Sequence, residues 1–165
     1  MPISRKLIDF LEKNKVKYTP LKHRTVYTAY DKAQTLRLPE KIIGKTLVLK
    51  IDKNLAVVLI PANKNLDKNK LKKVAKALPT GRQVRNLGFV SEKIMKNQLK
   101  GVKVGAIPPF GNLWGLETFI DKSLINQPKI IVNSGDYTWS IKISPAALKK
   151  IIPDLVIGTF SKAKR

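Results

Sequence analysis

Two apolar, β-branched runs with three polar residues between them constrain the fold of this chain more than any other feature. Residues 45–51 and 55–60 are rich in Leu, Val and Ile, and Asp52-Lys53-Asn54 separates them. Runs of this length and composition, bounded by turn-forming residues, predict two β-strands joined as a hairpin. Because apolar residues occupy both faces of each run, we expect these strands at the centre of a sheet.

Helical and extended patterns alternate along the rest of the chain. Helices are predicted at about residues 5–14, 29–36, 68–78, 92–100 and 145–151, and further strands at about residues 16–21, 116–121, 129–133, 138–143 and, at an edge, 155–159. The side chains expected to cap these helices are Ser4, Thr28, Asp67, Ser91 and Ser144. Tight turns join several strand pairs, so the sheet should be mixed. The chain therefore predicts an α+β fold, a single compact domain over residues 1–165 with a mixed β-sheet of about six to seven strands and surrounding helices.

Residue types that are missing or scarce restrict the chemistry. The chain has no cysteine and one histidine. Disulfides, thiolate metal sites, cysteine nucleophiles and most catalytic triads are therefore excluded, and no Walker or Rossmann glycine pattern is present. We expect no metal and no cofactor. The amino-terminal residues begin an amphipathic pattern without an apolar signal core, and no apolar run approaches membrane-spanning length, so a cytoplasmic location without membrane association is expected.

The charge balance points to a polyanionic partner. Thirty-three basic residues against eleven acidic ones give a formal net charge of +22, and a field of this size concentrates nucleic acid near the surface. AT-rich coding is an alternative source of part of the lysine excess, although it explains abundant lysine better than scarce acidic residues. The basic residues are spread along the chain without a recognisable RNA-binding signature, so the charge predicts phosphate contact and no sequence readout.

The segment Gly105-Ala106-Ile107-Pro108-Pro109-Phe110-Gly111 predicts a stiff loop. Its two prolines fix φ and withhold two backbone donors, and its flanking glycines permit backbone angles that other residues avoid. Taken alone, the segment favours a Pro-Pro turn between two strands. A rigid loop with its few N–H groups aimed in one direction also suits the stabilisation of negative charge on a substrate oxygen.

One lysine stands out from the many in the sequence. On the first predicted strand of the hairpin, the Lys45 side chain would share a face with Leu47, Leu49 and Ile51, at the entry of an apolar layer. The alternative is an amine that reaches past the rim of the sheet to water. His23, taken alone, is better explained as a structural or surface residue than as a general base, and core packing is the better explanation for both tryptophans.

A series of short segments spans nearly the whole chain in a fixed order. They are KTLVLK at 45–50, an apolar strand ending in Pro61, Leu66-Asp67 with its amphipathic helix, the loop at 105–111, residues 120–124, Ser134-Gly135, and a strand leading to residues 143–148. In this order they resemble the YbaK and prolyl-tRNA-synthetase-associated editing family. The strand that carries Lys45 and the G-x-x-x-P loop are the most specific parts of the resemblance.

The resemblance implies a compact α+β domain that hydrolyses the ester of mischarged aminoacyl-tRNA. It implies that Lys45 holds the 3′-terminal nucleotide of the substrate and that the loop from Gly105 to Pro109 lines the aminoacyl pocket. Ser140 falls where some relatives carry an acidic residue and others a small hydroxyl residue, so the amino acid removed stays open. The substrate-binding residues implied are His23, Tyr27, Thr28, Ile107, Pro108, Pro109, Ser134, Gly135 and Ser140.

The residues also agree with a mechanism that needs no protein nucleophile. An aminoacyl ester is already labile, so a site can act by orienting it, stabilising its oxyanion and positioning water. We expect the N–H groups of Gly105 and Ala106 to face the ester carbonyl, Lys45 to pair with the terminal phosphate and a ribose hydroxyl to activate water. A stiff wall of Ile107 and the two prolines fits a small amino acid such as alanine, with cysteine, serine and proline left open.

These features predict a free-standing trans-editing deacylase that acts on the acceptor end of mischarged tRNA, with tRNA(Pro) as the first candidate. Prolyl-tRNA synthetase or another synthetase is a candidate partner, and the oligomeric state is left open. Two alternatives remain: a non-catalytic basic RNA-binding module, and an editing-like domain that serves as an adaptor of a synthetase. An intact Lys45 and G-x-x-x-P loop argue against the loss of catalysis.

Overall fold

The structure of the protein is a computed structural model that describes residues 4–78 and 83–164. Its helices are α1 (Arg5–Lys13), α2 (Ala29–Leu36), α3 (Lys68–Lys76), α4 (Glu92–Gln98), α5 (Lys122–Ile125) and α6 (Pro145–Ile151). Its strands are β1 (Thr19–Lys22), β2 (Gly44–Ile51), β3 (Asn54–Pro61), β4 (Lys64–Leu66), β5 (Leu87–Phe89), β6 (Glu117–Asp121), β7 (Ile130–Asn133), β8 (Trp139–Ile143), β9 (Val156–Gly158) and β10 (Ser161–Ala163). Across the two described ranges, no helix has both the length and the apolar character needed to cross a bilayer.

A mixed five-stranded sheet in the order β5-β2-β3-β6-β9 forms the centre of the molecule. The hairpin β2–β3 is antiparallel, whereas β6 pairs with β3, and β9 with β6, in parallel. Strands β1, β8 and β7 form a separate antiparallel sheet, and β10 pairs with β4 in a third. The predicted α+β class, the mixed sheet and the central position of the hairpin are confirmed. The mixed sheet has five strands where about six to seven were expected, because the other strands pair in two smaller sheets.

The strands that the sequence pattern does not reveal are short and depend on distant partners. Strands β4, β5 and β10 have three residues each. Strand β5 lies beside β2 because the Asp52 carboxylate in the hairpin turn accepts the N–H groups of Arg85 and Asn86 at 2.9 Å each. This contact joins residues more than thirty positions apart in the sequence. The strand that it fixes therefore has no local hydrophobic periodicity by which it could be predicted.

Helix capping follows the sequence prediction with one exception. The side chains that accept a backbone N–H three residues later are those of Thr28, Asp67, Ser91 and Ser144. The Ser4 hydroxyl makes no capping hydrogen bond and donates instead to the Gly101 carbonyl at 2.9 Å. The predicted role of the Ser4 side chain was therefore wrong, because a backbone acceptor from a distant loop lies within its reach.

The central sheet separates two apolar clusters. Leu59 and Ile120 face the cluster formed with α1, α6 and the three-stranded sheet, and Val58 and Phe119 face the cluster formed with α3 and the carboxyl-terminal strands. Both tryptophans pack against apolar clusters. Burial of both faces fixes the strand register, because a slip of one residue would exchange the two sets of side chains.

Candidate functional site

A cavity of about 350 Å³ opens beside the first half of β2. Its walls come from residues 26–29, from α2, from residues 44–48 of β2, from residues 89–90, from the loop at 104–107 and from the turn between β7 and β8. The size is within the range of small-ligand pockets, and the lining is mainly apolar with a few polar groups. This composition suits a small organic group held by a small number of directed contacts.

Lys45 lies at the beginning of β2 and lines the cavity. Its side chain is half-buried, and its Nζ donates to the Lys64 carbonyl at 3.0 Å. Burial lowers the pKa of Lys45, and the charge of Lys164 lowers it further, while Glu40 opposes both. A single backbone acceptor is a replaceable partner, so this ammonium can exchange it for an anionic ligand at the cavity mouth.

Gly105 is needed for close packing and not for an unusual backbone angle. A Cβ atom at this position would lie 2.9 Å from Cε1 of Tyr137. Neither Gly105 nor Gly111 has a positive φ; a Cβ at Gly111 would lie 2.5 Å from Oγ1 of Thr118. The expectation that both glycines supply special backbone angles was therefore wrong. Each is required because a neighbouring side chain lies too close for a Cβ atom.

The backbone donors of the loop differ from the predicted pair. The Ala106 N–H donates to the Lys103 carbonyl at 2.9 Å, within a turn of 3₁₀ helix, and is not free for a substrate. The Gly105 N–H makes a long bond of 3.3 Å to the Tyr137 hydroxyl. Within residues 4–78 and 83–164, the Ile107 N–H has no acceptor. Of the predicted pair, only the Gly105 N–H can turn to a ligand, and the Ile107 N–H is a further candidate donor in this loop.

Gly135 holds the loop from behind and does not line the cavity. Its N–H donates to the Ala106 carbonyl at 2.8 Å, and its carbonyl accepts the Lys103 N–H at 2.9 Å. Its φ of +94° and the 2.9 Å gap between a hypothetical Cβ and Val102 both require glycine. The neighbouring Ser134 is buried, and its hydroxyl donates to the Trp139 carbonyl at 2.7 Å.

The proline pair supports the loop from inside the molecule. Pro108 and Pro109 are buried, and neither contributes to the lining of the cavity. The apolar wall expected from Ile107 and both prolines is therefore formed by Ile107 and Ala106. Ile107 packs with Val48 and Leu99 in a small apolar cluster, which fixes the wall against β2.

His23 and Ser140 contact each other across 117 residues of sequence, outside the cavity lining. The Nδ1–H of His23 donates to the Arg24 carbonyl at 2.8 Å, and Nε2 accepts from the Ser140 hydroxyl at 2.8 Å. Burial lowers the pKa of His23, which favours this neutral form. Both ring nitrogens are occupied, so His23 does not offer a free base.

In the described residues, no three His, Cys, Asp or Glu side chains form a metal site.

Tyr27 and Thr28 lie on the rim, where the chain enters α2. Tyr27 is 68% exposed, and its ring meets that of Tyr137 edge-on at 4.9 Å. The Lys103 ammonium lies 5.4 Å from the Tyr137 ring centre and 2.9 Å from the Asp136 carboxylate. The hydrogen bond and charge of Asp136 raise the pKa of Lys103. This edge of the cavity thus presents an aromatic pair beside a fixed cation.

Lys32 is a cavity residue that the sequence analysis missed. It is 5% exposed and lines the cavity from α2. Its Nζ donates to Oδ1 of Asn133 at 2.5 Å, and Nδ2 of Asn133 donates to the Ile107 carbonyl at 3.2 Å. Burial lowers the pKa of Lys32 to about 8. A sequence signal existed, because Lys32 interrupts the apolar helical stripe formed by Ala29, Ala33 and Leu36.

Phe89 is another cavity residue that the sequence analysis missed. It lies at the end of β5, lines the cavity and is 60% exposed. The Lys68 ammonium lies 4.9 Å from the centre of its ring. An exposed aromatic ring with a nearby cation is a common platform for a nucleic-acid base. Strand β5 is too short for a sequence pattern to reveal, so this ring could not be placed.

Comparison with known protein families identifies the class of protein to which this fold and cavity belong. Residues 23–151 match the aminoacyl-tRNA editing domain family, and the chain belongs to this family. The matched range contains the whole lining of the cavity. The chain is thus an aminoacyl-tRNA deacylase, a hydrolase of the ester that joins an amino acid to tRNA. The resemblance drawn from the sequence is confirmed.

Individual relatives are similar to this chain over most or all of their length. The prolyl-tRNA editing protein ProX of Acetoanaerobium sticklandii is 28% identical over 156 residues, which cover 92% of each chain. The crystal structure of a putative trans-editing enzyme for prolyl tRNA synthetase has a TM-score of 0.79, with 20% identity and 99% of each chain covered. A hypothetical protein of known structure has a TM-score of 0.81 at 20% identity and covers 96% of this chain and 100% of its own.

Proposed function

We propose that this chain is a free-standing, trans-editing deacylase that removes a small amino acid, alanine first, from mischarged tRNA(Pro). We also propose that residues 1–165 form a single editing domain. The observation that carries the proposal is the cavity between Lys45 and the loop at 104–107, in a chain of the editing family. The full-length similarity to ProX supports the choice of tRNA(Pro).

Lys45 is proposed to pair with the phosphate of the 3′-terminal nucleotide. Its ammonium lies at the cavity wall, partly desolvated, with one backbone carbonyl as its hydrogen-bond partner. Partial burial strengthens the attraction between an ammonium and a phosphate over that in water. The ester of the bound nucleotide then points toward the loop at 104–107.

The hydrolysis step uses water and the substrate's own ribose. A ribose hydroxyl orients the water, whose oxygen forms a bond to the ester carbonyl carbon. The carbonyl electron pair moves to its oxygen, and the Gly105 and Ile107 N–H groups are the loop donors proposed to face that oxygen. When the pair returns, the bond to the ribose oxygen breaks, and that oxygen takes the proton that the water loses.

Selection among amino acids is proposed to rest on size. Ala106 and Ile107 form the apolar wall of the cavity, and Pro108 and Pro109 stiffen the loop from behind. A pocket of this kind separates side chains that differ by one methylene by about 1–3 kcal/mol. Alanine and the similarly small serine and cysteine fit such a pocket better than the cyclic side chain of proline.

The tRNA acceptor end is proposed to lie on the cavity rim. Exposed Tyr27 and Phe89 flank the opening, and Lys103 and Lys68 lie near the aromatic rings there. The net charge of +22 supplies a field that draws in RNA. Prolyl-tRNA synthetase is the proposed partner that releases the mischarged tRNA to this enzyme.

The test is a panel of tRNA(Pro) and other tRNAs charged with alanine, cysteine, serine or proline, followed for ester loss at catalytic enzyme concentrations. We expect Ala-tRNA(Pro) to be hydrolysed fastest and Lys45→Ala to lose most of this activity. Lys149→Ala, which removes the same charge from an exposed position on α6, is the matched control. Salt-sensitive binding of every tRNA without ester loss would instead support the non-catalytic RNA-binding module.

A further inference from the structure

A buried amine forms part of the cavity wall beneath the loop. Lys32 projects from α2 and is 5% exposed, with Ala29 and Leu36 as its neighbours on the same helix face. Lysine is almost never buried to this extent without a partner, because the loss of hydration is costly. Its place in the wall of the editing cavity therefore calls for a function.

The hydrogen bonds of Lys32 are incomplete. An ammonium has three N–H donors. Asn133 Oδ1 accepts one of them, and no second acceptor for Nζ lies within residues 4–78 and 83–164. Buried donors in native proteins are nearly always paired. A residue that lines a cavity and keeps spare donors is arranged to bind an acceptor atom of a ligand there.

The same contacts attach Lys32 to the loop that faces the ester. Asn133 accepts from Lys32 and donates its own Nδ2–H to the Ile107 carbonyl at 3.2 Å. The neighbouring Ala106 N–H, the donor expected to face the substrate, is occupied by the Lys103 carbonyl. The loop is therefore short of one backbone donor, and a cation stands next to it.

We propose that the Lys32 ammonium binds the carbonyl oxygen of the aminoacyl ester and stabilises the oxyanion that forms when water attacks. The inference rests on the deacylase function proposed above. As the water oxygen bonds to the carbonyl carbon, the electron pair that moves to the carbonyl oxygen is held by a Lys32 N–H. The pair then returns, the bond to the ribose oxygen breaks and the water proton passes to the ribose.

The charge on Lys32 gives this role a pH signature. The ionisable groups near Lys32 are His23, which lies outside the cavity lining, and Tyr27, Lys45, Asp136 and Tyr137, which line the same cavity as Lys32. Burial lowers the pKa of His23, and hydrogen bonds from Thr138 and Lys103 outweigh burial and keep the pKa of Asp136 low. Burial also lowers the pKa of Lys32 to about 8. Lys32 is then charged at neutral pH and loses its charge as the pH rises above about 8.

The test compares wild type, Lys32→Met and Lys32→Arg in single-turnover hydrolysis of Ala-tRNA(Pro) between pH 6 and pH 9.5, corrected for the uncatalysed rate. We expect Lys32→Met to lower the rate of the bound complex about 10²- to 10³-fold, as for loss of one oxyanion donor. The apparent Kd should change less than about threefold, because the interaction with the neutral carbonyl oxygen is weaker than the interaction with the oxyanion of the transition state. Lys32→Arg keeps the charge and should recover part of the rate. Thermal unfolding of each variant shows whether it is folded.

A second variant, Asn133→Ala, separates a catalytic role of Lys32 from a purely structural one. Asn133→Ala removes the brace to the Ile107 carbonyl but leaves the Lys32 amine. In Asn133→Ala, we expect the corrected rate still to decline above pH 8. In Lys32→Met, we expect no such decline. The role of Lys32 would be overturned, with the deacylase function intact, by either of two results. One is a wild-type rate in a folded Lys32→Met variant, and the other is a corrected rate that still declines above pH 8 in that variant. A wild type inactive on every charged tRNA would overturn the deacylase function and this inference together.

Discussion

Gly105 and Tyr137 approach so closely that a side chain at residue 105 would displace the Tyr137 ring. A Cβ atom there would lie 2.9 Å from Cε1 of the Tyr137 ring, and the Gly105 N–H reaches the Tyr137 hydroxyl at 3.3 Å. The glycine of the G-x-x-x-P loop and the turn between β7 and β8 thus define one edge of the cavity together. The glycine of the motif is thus explained by the short distance to the Tyr137 ring, since the φ of Gly105 is not positive.

Gly105→Ala should therefore damage activity more than stability. The Tyr137 ring can move away from the new methyl group, so we expect a loss of stability below about 1 kcal/mol, less than for overpacking in a rigid core. The displaced ring should narrow the cavity and lower kcat/KM for Ala-tRNA(Pro) at least about tenfold, about 1.4 kcal/mol. Gly88→Ala is the matched control, because a Cβ there meets nothing within 4 Å. Equal losses in both variants would contradict the explanation.

The stability of wild type should rise with pH relative to Lys32→Met. The folded-state pKa of Lys32 is about 8 against an ordinary value of 10.5. Between these values the unfolded chain binds more protons than the folded one, so the unfolding free energy increases with pH. Burial of the charged form costs about 3 kcal/mol below pH 8, and this cost disappears toward pH 10.5. Urea denaturation of both proteins at pH 7 and pH 10 measures the change, and a constant difference would contradict it.

Phe89→Ala should weaken the binding of the tRNA acceptor end. Stacking of one base on an aromatic ring contributes about 1–3 kcal/mol, so we expect KM for Ala-tRNA(Pro) to rise about 5- to 150-fold. Phe89→Tyr should retain binding, since the ring remains. Ile157→Ala removes another exposed apolar side chain, on β9 at the opposite edge of the central sheet, and serves as the control. An unchanged KM in Phe89→Ala would exclude a base on this ring.

Ser140→Ala should affect stability more than turnover. The Ser140 hydroxyl donates to Nε2 of His23, and both residues lie outside the cavity lining. Its loss leaves a partly buried nitrogen without a donor, at a cost of about 1–3 kcal/mol. Chemical denaturation and single-turnover rates on the same sample compare the two effects. A large fall in the rate without a change in stability would return Ser140 to the substrate-binding residues that the resemblance implies.

The backbone framework was largely predictable because its causes are local. The apolar runs at residues 45–51 and 55–60 form the central hairpin, and four of the five expected cap residues accept the hydrogen bonds that begin their helices. Hydrophobic periodicity and capping depend on residues within one or two turns of each other. The ordered motifs around Lys45 and Gly105 were likewise sufficient to indicate the editing family.

The details of the cavity depended on contacts between residues far apart in sequence. Ala106 loses its predicted role because its N–H is used within the loop's own 3₁₀ turn, and His23 is occupied by Ser140. Lys32 becomes a buried amine only when α2 packs beside Asn133, and Phe89 reaches the rim only through the short pairing of β5 with β2.

The sequence by itself thus determined the order of helices and strands, the central hairpin and the motifs of an editing domain. Tertiary structure alone decided which N–H groups are free, which lysine is buried and which aromatic ring faces the opening. The physical reason is that burial and hydrogen-bond partners are set by packing between distant segments, whereas helices and strands begin from local patterns.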